Sequence, residues 1–267
     1  MARGRDVASV ANQVEDQPAL QIGARVGYAV SGVLHLLIGW IALQVAWFAS
    51  AKSADQSGAL QAISGSPLGR FTLWVAVLGF LALGLWQLAN ALAVRTGGEA
   101  SRWGYKAKGI SKAVLYFVLA WTSFSFANGQ PRSSKTQSAD FTATMLQHPG
   151  GRLLVGAIGL AVIGVGGYHV VKGWTRKFLQ DLTKNPGTLA TRAGVVGYIA
   201  KGIALAVVGA LFVTAAVQNS STKATGLDGA LRSMREQAVG SWLLTGVALG
   251  IASYGLYSFA RARHARV

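Results

Sequence analysis

Cysteine is absent from the 267 residues. Its absence excludes disulfides, thiolate zinc sites, cysteine-ligated iron–sulfur clusters and cysteine nucleophiles. Acids are scarce: Asp and Glu number 9 against 25 Lys and Arg, for a formal net charge of +16. None of the acids falls in a long apolar run. That counts against a proton pump, which usually relies on intramembrane carboxylates. No Walker loop, no GxGxxG after a strand and no nucleophile–base–acid set is present. The expectation is a protein that is not an enzyme.

What the chain has is apolar length. It is 52% hydrophobic and 13% charged, with 34 glycines. Six runs of 20 or more residues carry few or no charges, near 25–49, 71–94, 104–127, 151–175, 193–218 and 240–261. About 20 apolar residues in a helix cross the bilayer core. The runs are continuous rather than alternating, so helices are expected and not a barrel. Residues 1–22 are polar and read as a disordered cytoplasmic tail with no removable signal peptide.

The basic charge follows topology. The N-terminus, the 95–112 and 172–201 regions and the C-terminus hold 17 of the 25 Lys and Arg. The positive-inside rule then places both termini in the cytoplasm of a multi-pass protein. Attraction to anionic lipid headgroups explains the basicity more simply than nucleic acid does, because the charges flank spans and form no soluble domain.

The chain also repeats itself. Gly27-Tyr28-Ala29-Val30-Ser31-Gly32 returns as Gly104-Tyr105-Lys106-Ala107-Lys108-Gly109 and as Gly197-Tyr198-Ile199-Ala200-Lys201-Gly202. Gly69-Arg70, Gly151-Arg152 and Gly240-Ser241 open the intervening runs. Each of those carries a late glycine and aromatic: Gly84 and Trp86, Gly166 and Tyr168, Gly255 and Tyr257. Three two-helix units follow, at 23–95, 101–178 and 190–263. All three begin on the same side, so they are parallel repeats. A six-helix ring about a pseudo-threefold axis is the simplest arrangement, and a linear one is the alternative.

These three openings, the Gly-Arg starts and the aromatic ends resemble the bacterial membrane-protein family catalogued as domain of unknown function 1206. The likeness covers about residues 22–263. It implies a bacterial plasma-membrane protein of three two-helix repeats and brings no activity with it. The third repeat departs from the pattern, since Arg192 stands six residues before Tyr198 instead of three.

Chemistry-bearing residues gather on one face of the odd spans. Positions 0, +3, +4 and +7 of a helix share a face. That face reads Tyr28-Ser31-Gly32-His35, Tyr105-Lys108-Gly109-Lys112 and Tyr198-Lys201-Gly202-Leu205. Lys108 and Lys201 lie close enough to the basic end to snorkel to headgroups. His35 and Lys112 each follow an arginine by ten residues, roughly 15 Å of rise, which is mid-bilayer depth. A neutral side chain, a wet cavity or a bound anion would each accommodate them. Lys172 and Arg261, four residues past the aromatics, read as interfacial anchors. Small residues on the even spans (Gly79 and Ala82, Ala161 and Gly164, Gly250 and Ser253) read as packing. No metal and no cofactor are expected: of the four histidines only His35 and His169 are able to meet, a poor metal set, and a bis-histidine haem would require them side by side.

Two functions remain. One is an accessory or scaffold subunit that packs against lipids, a membrane-protein partner or a second copy of the chain. The other is a transporter or binder of an anionic or amphipathic solute, with a basic cavity lined by Tyr28, His35, Tyr105, Lys108, Lys112, Tyr198 and Lys201.

Overall fold

A computed structural model describes residues 18–48, 50–93, 99–131 and 133–265. The tail expected over 1–22 falls outside these up to residue 17, and 18–22 already belong to the first helix. Nine α-helices are present among the described residues. Six are long and apolar enough to cross a membrane: α1 (Pro18–Trp47), α3 (Pro67–Ala93), α4 (Glu99–Ala127), α6 (Gly151–Trp174), α7 (Thr188–Gln218) and α9 (Gly240–His264). Three are short: α2 (Gln56–Ser64), α5 (Ser134–Leu146) and α8 (Gly226–Arg235). The architecture is that of an all-α, multi-pass membrane protein of three repeats, each a long helix, a short one and a second long one.

Local chemistry sets the limits. Pro67 opens α3, where its missing N–H is no loss. Asn219, at φ 50°, ends α7 in the left-handed conformation and donates its N–H back to Ala216. The recurrent glycine at the start of each even span has a steric reason. A Cβ on Gly69, Gly151 or Gly240 would land on the carbonyl of Ile63, Met145 or Arg235, at the end of the preceding short helix.

The six long helices follow one another around a ring. The three most extensive packings join the second long helix of one repeat to the first of the next: α3 with α4, α6 with α7, α9 with α1. Within repeats, α1 packs on α3 and α7 on α9. The circuit runs α4–α3–α1–α9–α7–α6. Its two ends, α4 and α6, lack such packing and meet through the side chains of Lys108 and Tyr168. The expected threefold ring is therefore present with one open seam, in repeat 2.

Paired glycines build two of the three inter-repeat joints. In α6 and α7, a Cβ on Gly166 would sit 2.6 Å from the carbonyl oxygen of Gly202, and one on Gly159 2.8 Å from that of Gly209. In α9 and α1 the same geometry sets Gly255 against the Gly32 carbonyl at 2.8 Å, and Gly39 against the Ala248 carbonyl at 2.8 Å. Without side chains the backbones approach closely, and dispersion contacts substitute for the hydrophobic force that lipid does not supply.

The third joint is slipped. Gly109 meets Ala91, seven residues beyond Gly84, and Gly84 lies under the ring of Phe117. An offset of seven residues is roughly 10 Å of slide. The cause is in the sequence: the place of Gly39 and Gly209 is taken in α4 by Tyr116, and Val77 stands opposite where Ala248 and Gly159 stand in the other joints. Two bulky residues forbid the second glycine crossing, so α4 shifts until Gly109 and Gly84 find other partners.

The short helices form a cap at the end away from the start of α1 and the end of α9. Asp55 accepts from Gly58 N–H (3.0 Å) and Ser57 Oγ (2.6 Å) to cap α2. Burial pushes its carboxyl pKa up. Asp228 of α8 accepts from Ala54 N–H at 2.8 Å and pairs with Arg232, which donates to the Ser50 and Lys52 carbonyls. Repeat 3 thereby grips repeat 1.

Neighbouring glycines of α6 provide a test. Ala at Gly166 would meet backbone atoms of α7, whereas Ala at Gly167 meets nothing within 4 Å. Gly166→Ala should lower the thermal midpoint of the detergent-solubilised protein. Gly167→Ala should hold or raise it, since a helical glycine costs about 0.5–1 kcal/mol against alanine.

Candidate functional site

The end of the ring at which α1 begins and α9 ends gathers the titratable side chains. Its parts follow the repeat. Arg261, four residues after Tyr257 on α9, lies over the ring of Tyr28 on α1 at 4.2 Å and donates from Nη2 to the Tyr28 hydroxyl at 3.1 Å. Lys172, four after Tyr168 on α6, lies 5.5 Å over the ring of Tyr198 on α7. The tyrosine of the Gly-Tyr opening thus receives the cation of the preceding even helix. Cation–π contacts of this kind are worth about 0.5–2 kcal/mol. In the third joint the place of the cation is taken by neutral Asn90, whose amide donates to the Trp86 carbonyl. Tyr105, with no cation and a slipped helix, is 60% exposed and stands outside the cluster.

A second layer lies one turn deeper. The Nζ of Lys201 sits 4.2 Å over the ring of Tyr254 and 3.3 Å from Nε2 of His35. His35 donates its Nδ1–H to the Ser31 carbonyl at 2.7 Å, which leaves Nε2 as an acceptor for the lysine. His169 does likewise with Val165 O at 2.8 Å and stacks on Tyr198. Of the two histidines that the sequence left able to meet, His35 lies against Lys201 and His169 against Tyr198. Phe178 fills the base of this layer against Tyr198 and Tyr257, and Tyr257 donates to the Phe178 carbonyl at 3.3 Å.

From α4, Lys108 donates to the Tyr168 hydroxyl at 3.3 Å, and Lys112 lies within electrostatic reach of Arg261, Lys108, Asp181 and Lys172. Five cations, Lys108, Lys112, Lys172, Lys201 and Arg261, therefore share this region with one carboxylate among the described residues. That carboxylate, Asp181, is held by Lys172 at 2.6 Å. Burial would raise the pKa of Asp181, but the charge and hydrogen bond of Lys172, with Arg261 and Lys112 beyond, hold it below the usual range. Among the described residues, two buried donors at this end lack a protein partner: Nε of Arg261 and Nε1 of Trp86.

Of the expected lining residues, Tyr28, His35, Lys108, Lys112, Tyr198 and Lys201 gather here and Tyr105 does not. Lys172 and Arg261 are not interfacial anchors: both turn inward onto tyrosines. Their common place, four residues past an aromatic, puts them on its face of the helix, and that spacing was the available signal. Asp181 carried none, because a 3-10 turn over Lys177–Asp181 delivers it from the linker. The small-residue packing holds in repeats 1 and 3, where Gly79 meets Gly27 and Gly250 meets Ala200. It fails in repeat 2, where Gly104 and Gly164 face open space.

The Lys172–Asp181 pair has a definite pH signature. A carboxyl with a depressed folded pKa contributes stability above its ordinary value, and the contribution is lost as pH falls through the folded value. Wild-type thermal midpoints should therefore drop below about pH 4. Asp181→Asn should lower the midpoint at pH 7 by about 2–4 °C, the equivalent of about 1 kcal/mol for a partly exposed pair, and should flatten the acid drop.

Three stretches of the chain, 26–93, 107–176 and 196–265, match the family described as Domain of Unknown Function (DUF1206). A protein of Bacillus subtilis (strain 168), described as "Uncharacterized protein YxxB", is 28% identical over 251 residues, which cover 91% of this chain and 90% of that one. No solved structure matches. The matched stretches take in most of each of the six long helices, and the chain belongs to the DUF1206 family.

Proposed function

We propose that the protein is a non-enzymatic integral membrane protein that binds an anionic solute or amphiphile at the basic centre of its ring. One observation carries this reading: four cations, Lys112, Lys172, Lys201 and Arg261, lie within a membrane-spanning ring with exposed Lys108 at its edge, and among the described residues they share one already paired carboxylate. Cations out of water are costly unless paired. Tyrosine faces offset part of that cost for four of the five. Lys112 has neither a tyrosine face nor a hydrogen bond among the described residues, and Arg261 Nε lacks an acceptor. An anion supplies what both need.

The accessory-subunit reading has its own support in the open small-residue face of α6 at Gly164 and Gly167, which suits close helix docking. It leaves the cation surplus without a role, and for that reason ranks second. In either case the basic end faces the cytoplasm of a bacterial plasma membrane under the positive-inside rule, where anionic headgroups lie.

Thermal midpoints of the solubilised protein, titrated with inorganic phosphate, test the anion reading. Phosphate should raise the wild-type midpoint in a saturable way, and Lys112→Ala should weaken the apparent affinity about tenfold, the loss of one charge-assisted bond. A midpoint indifferent to phosphate, or one that responds equally in Lys112→Ala, would exclude it. Reporter fusions test orientation: those within 182–188 should be cytoplasmic and those within 128–131 external, and the reverse pattern would invert the protein.

A further inference from the structure

We infer that the ligand of the basic centre is an anionic phospholipid, whose phosphate headgroup enters sideways through the open seam between α4 and α6. This rests on the anion-binding reading and names the source of the anion.

The seam is specific to repeat 2. In repeat 1, a Cβ on Gly27 would meet the Gly79 carbonyl at 2.5 Å, and in repeat 3 one on Gly197 would meet Tyr254 at 2.5 Å. The corresponding glycine of repeat 2, Gly104, has nothing within 4 Å, and on α6 neither does Gly164, the counterpart of Ala82 and Ser253. Only the Lys108–Tyr168 hydrogen bond spans the gap among the described residues. The slip of α4 accounts for it: a helix displaced by two turns to suit Tyr116 and Phe117 no longer matches α6.

The chemistry at the seam is graded. Lys108 stands at the opening, Lys112 lies one turn deeper, and Arg261 waits at the centre with its buried Nε unpaired. Flanking these on the same helix faces are Leu115 on α4 and Leu160 and Val165 on α6, all exposed. A phosphate diester matches the cations, with arginine able to bond two of its oxygens. Acyl chains match the apolar flanks and stay in the bilayer, so they need not be transferred from it. An apolar partner helix in the seam would leave the cations unneutralised, which argues for lipid as the occupant.

The test uses full-length protein in membranes of phosphatidylglycerol and phosphatidylcholine, read by native mass spectrometry, alongside the phosphate titration. Phosphatidylglycerol should be retained at one per chain, about tenfold over phosphatidylcholine, and Lys112→Ala should abolish the preference. Gly164→Leu fills the seam without touching the cations. It should cut phosphatidylglycerol retention about tenfold while leaving the phosphate-induced midpoint shift intact. Leu115→Trp is a second seam-filling variant and should do the same. If phosphate stabilises the protein through Lys112 but phosphatidylglycerol is not preferred, or if both seam variants retain it as wild type does, the lateral-lipid inference is wrong while the anion reading stands. If neither phosphate nor phosphatidylglycerol binds, both are wrong.

Discussion

The structure depends on backbones touching. In lipid, helices gain little by hiding apolar side chains from an apolar solvent, so close packing must hold them together. In two of the three joints that packing is made by glycines, with one alanine, seven residues apart on facing antiparallel helices: Gly32 and Gly39 against Gly255 and Ala248, Gly202 and Gly209 against Gly166 and Gly159. Each joint belongs to two repeats, so no repeat packs its helices fully by itself. The ring is a consequence, because three such joints bring the chain back to its start.

The same joints place the charges. Each crossing sets the end of an even helix beside the Gly-Tyr opening of the next odd one, and a cation there falls on a tyrosine face. Shortage of acids makes this arrangement necessary. The one interior carboxylate among the described residues is held by Lys172, so Lys201 falls to a tyrosine face and His35, and Arg261 to the face and hydroxyl of Tyr28. The interior keeps donor capacity in excess of acceptors, and that imbalance points to an anionic ligand.

Asymmetry enters through a few residues. Tyr116 and Val77 spoil one glycine crossing, Asn90 stands where the other joints have a cation, and α4 slides two turns. Tyr105 is freed, Lys108 and Lys112 take their positions from the slide, and the α4–α6 seam opens. A threefold scaffold becomes a ring with one door, and the door and the unpaired lysine sit on the same helix.

Apolar run length by itself determined the six long helices, and repetition of Gly-Tyr and of the late glycine determined the three-repeat order. These are local properties: a 20-residue apolar stretch has one stable conformation in lipid, and three copies of a motif imply three copies of a unit. The face carrying Tyr28, His35, Lys108, Lys112, Tyr198 and Lys201 was legible for the same reason, since helical spacing decides which residues share a side. Tertiary structure alone decided the rest. Whether Lys172 and Arg261 reach headgroups or tyrosines depends on which helix lies alongside. Asp181 reaches Lys172 only because a linker turn folds under the ring. The place of Tyr105, and the seam itself, depend on axial register between helices. Register is set by side-chain volume at two facing positions far apart in the chain, and reading one helix at a time does not show it.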